Sequence, residues 1–213
     1  MLSLKTARTL FVGAAVAMSS WVSVAHADAM GALDNYIRTA KSGSMAFTQN
    51  VSHIQKGGKG RQSSGTFAFQ RPSQFRFDYT KPFAQTLVAD GKNLWMHDVA
   101  LKQVTQRSQA QVLDATPAAL VASATSIASL QQRFTLSNEA DADGLQWVKA
   151  VPKDTSGQIK LVRIGFEGQN LRKLVIDDSF GQRSTITFGA MTALSGNTRF
   201  TFTPPKGVTV LKQ

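Results

Sequence analysis

Side chains able to do acid–base, nucleophilic or metal chemistry are few and scattered in this chain. It has no cysteine and three histidines, so a thiol nucleophile is impossible and thiolate metal ligation is ruled out. His53 and His97 fall on different extended segments, with no carboxylate spacing around them that resembles a metal site. Glutamate occurs only at Glu139 and Glu167, one in a loop region and one beside a turn. Asp177 and Asp178 are adjacent, and neighbours on a strand point to opposite faces, so the pair fits a strand end better than an acid–base dyad. The Gly/Lys cluster from Gln55 to Arg61 lacks both the spacing and the following apolar helix of a phosphate-binding loop, and reads as a hairpin loop. No Gly-x-Ser-x-Gly elbow is present. The chain reads as non-enzymatic, with no cofactor and no metal expected.

The chain's strongest concentration of side-chain character is aromatic. Phe67 and Phe69 alternate, as do Phe75, Phe77 and Tyr79; period two lays these rings along one face of a sheet. Arg71-Pro72 ends the first of these strands, because Pro lacks an amide donor and restricts its predecessor. Asp90-Gly91 marks a tight turn before Leu94-Trp95-Met96. The stretch from Gly65 to Val104 therefore predicts three or four consecutive antiparallel strands with a shared apolar face.

Other elements must cover that face. Leu33, Tyr36, Ile37 and Ala40 recur at three and four, predicting an amphipathic helix over Asp28–Lys41 that stops at Ser42-Gly43. Thr116-Pro117 reads as a helix start, with Leu120, Val121, Ala124, Ile127 and Ala128 tracing one stripe of a helix to Leu130. Strand signals precede and follow these: Met45–Gln55, Leu101–Gln106, Phe134–Ser137, Leu145–Val151, Ile159–Phe166, Leu171–Asp177, Ser184–Ala190 and Thr198–Thr203. Turn residues separate the later ones. About ten antiparallel strands with two helices leave one sheet face incompletely covered, the geometry of a lipid-sized pocket.

The N-terminal residues read as an address. Lys5 and Arg8, the apolar run Leu10–Met18 and Ala25-His26-Ala27 form the three parts of a secretory signal, with cleavage expected after Ala27. Residues 28–213 then form one domain, outside the cytoplasm. The net charge of +11 falls to +9 without Lys5 and Arg8. An exported chain with bases scattered along strands is not expected to bind nucleic acid; attraction to anionic head groups or an acidic partner fits better.

At these residues the chain resembles the periplasmic outer-membrane lipoprotein carrier family, LolA. The resemblance runs through Phe47-Thr48-Gln49, Gly65 to Arg71-Pro72, Phe75-Arg76-Phe77, Leu87 to Trp95, and Phe200 to Val208. It implies an open, strongly curved antiparallel sheet, a half-barrel, covered by a lid of short α-helices that encloses a hydrophobic cavity. It also implies a carrier that accepts acylated lipoproteins from an ATP-driven releasing complex of the inner membrane. Such a carrier shields the acyl chains across the periplasm and passes them to an outer-membrane receptor resembling LolB. Arg71 takes the place of the family's lid latch, bonded to lid carbonyls, which suits its rigid multi-donor fork. The expected acyl-chain liners are Phe47, Phe67, Phe69, Phe75, Phe77, Tyr79, Leu87, Leu94 and Met96 on the sheet, and Leu120, Val121 and Ile127 on the lid. Met96-His97 departs from the aromatic pair expected after Trp95.

The receptor shares the fold but needs an N-terminal lipidated Cys; without one, the carrier assignment is favoured and a soluble monomer is expected. A lipid- or glycolipid-binding protein of the same fold, with a different cargo, is the alternative. An exported hydrolase acting on an amphipathic substrate is a third reading.

Overall fold

Alternating apolar residues in nearly every extended segment drive the chain into one sheet with two usable faces. A computed structural model describes residues 28–55, 60–112 and 124–213; the expected signal segment, Leu120 and Val121 lie outside them. Helix α1 (Ala29–Thr39) leads into β1 (Ser42–His53), β2 (Arg61–Gln70), β3 (Gln74–Lys81), β4 (Gln85–Asp90), β5 (Asn93–Asp98) and β6 (Gln103–Ser108). Among the described residues α2 (Gln109–Val112) and α3 (Ile127–Arg133) follow. The chain ends with β7 (Phe134–Ala142), β8 (Leu145–Pro152), β9 (Ile159–Glu167), β10 (Asn170–Asp178), β11 (Gln182–Phe188) and β12 (Thr209–Lys212).

The strands form one open 12-stranded sheet in the order β12-β6-β5-β4-β3-β2-β1-β11-β10-β9-β8-β7. Two meanders, β1–β6 and β7–β11, are thus joined by the antiparallel β1–β11 ladder, in which Phe47 lies opposite Phe188. The β2–β3 ladder carries an irregularity that bends it. Its register shifts at Ser64/Gly65, and a Cβ on Gly65 would lie 1.9 Å from the Asp78 carbonyl oxygen. Only glycine permits that approach.

The inner face carries the main core. Leu33, Tyr36 and Ile37 of α1 are buried against Phe69, Phe166, Val148, Ile164 and Leu174. Each fully buried side chain of this size contributes about 2–3 kcal/mol. Apolar periodicity of 3.6 is why α1 can fill this face while its other side meets solvent.

The outer face holds a second apolar layer. Ala68, Val88 and Val104 are buried there, beneath a strap of residues 189–208 that includes Phe200 and Phe202. The rings of Trp95 and Phe202 lie 5.6 Å apart, and His97 and Phe202 5.8 Å. The strap is pinned at its start by Gly189 N–H donating to Ala46 O and by the Ser44–Thr192 pair. It ends in β12, which pairs in parallel with β6.

Two expectations are corrected. Thr198–Thr203 is not a strand: its alternation is real, placing Phe200 and Phe202 on the sheet and Thr201 and Thr203 in solvent, but the segment has no ladder. The stripe ending at Leu130 is not one uninterrupted helix. Ser126 is the N-cap of α3, its Oγ accepting from Ser129 N–H at 3.1 Å while Ser129 Oγ receives the Ser126 N–H at 3.2 Å. A reciprocal box of this kind starts a helix rather than continuing one.

Candidate functional site

Directly paired residues on adjacent strands share a face. Met45, Phe67, Phe77, Leu87 and Met96 are successive partners across β1 to β5, and Gly43, Phe69, Phe75, Ala89 and Leu94 form the next row. Phe47 and Tyr79 flank Gly65 in a third. The register therefore places every proposed sheet liner on the inner face.

Packing divides them. Phe47, Phe67, Phe69, Phe75 and Phe77 are all 3% exposed or less. Phe67 and Phe77 have centroids 4.5 Å apart, and Phe47 meets Phe77 edge-on at 5.3 Å. Leu94 is buried, while Leu87, Tyr79 and Ile127 are half-buried against the layer. Met96 is different. It shares the row of Phe77 but is 40% exposed and stands outside the packed layer.

One end of the inner face is tied down by backbone-directed polar groups. Arg71, in the turn after β2, donates from Nε to Ala40 O at 2.8 Å and from a terminal guanidinium nitrogen to Ala124 O at 2.6 Å. Ala40 follows α1 and Ala124 precedes α3, so one side chain holds both helices to the sheet. Its own N–H donates to Lys41 O at 2.8 Å. The guanidinium carbon sits 5.6 Å from the Tyr36 ring and 5.5 Å from the Phe69 ring, a cation–π seat. Burial lowers the Arg71 pKa, with the Tyr36 hydroxyl opposing. Burial pushes the Tyr36 phenol up to about 12, with Arg71 pulling the other way.

Gln109 is a second tie that sequence reasoning missed. It is 3% exposed, accepts from Gly91 N–H at 2.9 Å and donates to Ser73 O at 2.7 Å. It thereby clamps the β2–β3 turn to the β4–β5 turn. A polar residue just after a strand gives no signal for this in sequence.

At the opposite end the face is open. A cleft of about 350 Å³ is lined by Gln49, Val51, Ser63, Tyr79, Phe83 and Gln85, among others. Its inner limit is a polar belt in which Tyr79 OH donates to Gln49 Oε1 at 3.0 Å and Gln49 Nε2 donates to Ser184 Oγ at 2.8 Å. Burial pushes the Tyr79 phenol up to about 12.

The residues weighed for catalysis sit elsewhere. His97 faces the strap, and His53 is exposed beside Gly181. Asp177 pairs with Arg183 at 2.6 Å, while Asp178 accepts the N–H groups of Phe180 and Gln182. Glu139 and Glu167 pair with Arg163 and Arg172. Each of these four carboxylates is accounted for by an ion pair or a turn.

Comparison with known proteins supplies the identity of the arrangement. The family described as "Outer membrane lipoprotein carrier protein LolA" matches residues 38–203. An outer-membrane lipoprotein carrier protein of Albidiferax ferrireducens is 44% identical over 210 residues, covering 94% of this chain and 98% of the relative. Its namesake from Neisseria meningitidis serogroup B is 40% identical over 192 residues, covering 89% of this chain and 90% of the relative. Among solved structures, an uncharacterized conserved protein from Thermus thermophilus shares the fold, with a TM-score of 0.52 at 14% identity, covering 88% of this chain and 100% of the other. The chain belongs to the LolA family of outer-membrane lipoprotein carrier proteins.

Proposed function

We propose that this protein shields the acyl chains of lipoproteins in transit through the periplasm, between an ATP-driven releasing complex of the inner membrane and a LolB-like receptor of the outer membrane. The observation that carries the reading, beyond family membership, is the aromatic inner face: five buried phenylalanines covered by helices that one arginine ties down. Lipoprotein acyl chains contain some tens of methylenes, and at about 0.8 kcal/mol each their exposure costs on the order of 30 kcal/mol. Soluble passage requires covering most of that surface.

In this reading α1 and α3 occupy the inner face when no cargo is bound, and acyl chains displace them. Arg71 is the latch. Hydrogen bonds from a charged donor contribute about 1.5–3 kcal/mol each, so two of them hold the lid shut while leaving a minor open population that cargo can select. Delivery needs only a receptor with higher affinity, with no nucleotide bound to the carrier.

The test is release from membrane vesicles that bear the releasing complex and a labelled lipoprotein, with ATP, in the presence and absence of this protein. Lipoprotein recovered in the soluble fraction as a one-to-one complex is the expected result. No release by folded protein from competent vesicles would overturn the reading, and lipid co-purified with the protein would then point to a different cargo. Arg71→Leu is expected to fold and to fail in repeated transfer; wild-type cycling would remove the latch.

A further inference from the structure

The two ends of the sheet differ in what their loops expose. At the Arg71 end the described turns between strands are built from Pro72-Ser73, Gly91-Lys92, Asp143-Gly144 and Gly168-Gln169, without a large apolar side chain, and Met191 of the strap is the large apolar residue exposed near them among the described residues. At the other end the loops present Ile54 (46% exposed), Phe83 (73%), Val99 (49%), Leu101 (69%) and Phe180 (63%). These belong to the β1–β2, β3–β4, β5–β6 and β10–β11 connections, which all emerge at the same end because the strands are antiparallel neighbours. Adjacent strands bring Phe83 beside Val99 and Ile54 beside Phe180, so the apolar groups stand as two knobs along the end of the sheet, and Phe83 also borders the cleft there.

The loops are held in this shape. Val99 N–H donates to Ala84 O and Ile54 N–H to Gly181 O, coupling the tips in two pairs. Asp98 accepts the Leu101 N–H at 2.9 Å, and Asp178 accepts the Phe180 N–H at 2.9 Å. The acidic residues of these loops thus point back onto the backbone while the apolar residues project outward. Exposed cations, Arg61, Lys81 and Lys102, stand at the strand ends beside the tips, on a chain of net charge +11.

We propose that this end of the sheet is an interfacial membrane-binding surface that seats on an anionic lipid bilayer. Exposed apolar knobs dip into the headgroup–acyl boundary without needing a complementary pocket, and neighbouring cations draw anionic lipid to them. The core of a protein interface is depleted of lysine, whereas Lys81 and Lys102 stand exposed beside these tips. The surface is argued from the loop tips and not from cargo carriage, so lipoprotein release can succeed where this proposal fails, and the reverse.

Sedimentation with lipid vesicles tests it, using a chain that starts at Asp28 so that the N-terminal apolar run cannot supply the binding. Vesicles of phosphatidylethanolamine with phosphatidylglycerol are compared with vesicles of phosphatidylcholine alone. The expected result is co-sedimentation with the anionic vesicles, weakened several-fold by 0.5 M salt. The double variant Phe83→Ser/Phe180→Ser should bind at least fivefold less, with an unchanged circular dichroism spectrum. Gln169→Ser, at the polar end, should bind like the parent. No vesicle binding in low salt, or undiminished binding by the double variant, overturns the proposal. So does binding confined to native membranes and abolished by protease treatment of those membranes, which would make the partner a protein.

Discussion

The two faces of this sheet solve the same burial problem with different attachments. On the inner face, a phenylalanine layer is covered by α1 and α3, and a single arginine side chain bonds backbone carbonyls flanking both. On the outer face, Val88 and Val104 are covered by a strap anchored through backbone pairs at its start and through a whole edge strand at its end. Lifting the inner cover costs side-chain hydrogen bonds and apolar contact but leaves the sheet whole. Lifting the outer cover removes β12 from the sheet. Chains that must open and close gain from the first kind of attachment, and the second serves only stability.

The largest test of this contrast is truncation in each layer. Phe69→Ala, at 0% exposure in the inner layer, should cost about 3–5 kcal/mol by denaturant unfolding, from lost burial and the cavity left behind. Phe200→Ala, in the single-layer strap, should cost about 2–3 kcal/mol because the strap can settle onto the vacated space. Equal losses would mean that the two layers are equally rigid.

Next comes titration, which separates the faces by pH. Tyr36 has a folded pKa raised to about 12 against about 10 unfolded, because burial favours the neutral phenol. Its contribution is complete below pH 10 and is lost as pH rises toward 12, an effect on the order of 2–3 kcal/mol. Tyr36→Phe should abolish that part of the alkaline loss seen in unfolding curves, and an unchanged alkaline limb would show that the phenol is already solvated.

Arg71→Leu should raise amide exchange in α1 and α3 by roughly tenfold to a hundredfold, equivalent to about 1.4–2.8 kcal/mol. Exchange in β3 and β4 should stay at its parent rate. Uniform acceleration would mean that the lid and the sheet open together.

The smallest effect belongs to the outer face in acid. Burial pushes the Asp90 pKa up, but hydrogen bonds from Asn93 N–H, the Trp95 indole and Lys92 N–H outweigh it and hold the carboxyl below its ordinary value. Its contribution is present above the unfolded carboxyl pKa of about 3.9 and fades as pH falls through the lower folded value. Asp90→Asn should cost about 1 kcal/mol at neutral pH and flatten the acid limb of the stability profile; an identical limb would show that Trp95 needs no anchor.

Much of the inner face was legible in the sequence because it is periodic. Phe67, Phe69, Phe75, Phe77 and Tyr79 announce one face by alternation, and Leu33, Tyr36 and Ile37 announce the helix stripe that meets it. The outer layer was hidden because its signal is split. Val88 sits in the run Leu87-Val88-Ala89, where consecutive apolar residues blur the alternation, and its cover arrives from residues more than a hundred positions away. Strand β12 has only a short run, Thr209–Lys212, and its parallel pairing with β6 has no local turn to mark it. The boundary at Ser126 was missed because an Ala/Ser-rich stretch suits a helix interior and a cap alike. Arg71 drew attention only through family resemblance; a base after a strand says nothing by itself about which carbonyls it will meet.

The β1–β11 seam has a consequence for the order in which the molecule can be made. The first meander contributes Phe47, Phe67, Phe69, Phe75 and Phe77, yet its flanking strand ends only at Phe188, and α3 also follows the meander in the chain. A polypeptide emerging from N to C terminus therefore has only α1 to cover the aromatic surface until α3 is made, and the sheet edge at β1 stays unpaired until nearly the whole length is available. Loop closure across so many residues is slow compared with forming the local hairpins. While it is being made the protein is itself an amphipathic client, sticky along the surface it will later hide, and its yield should depend on holding factors where it folds.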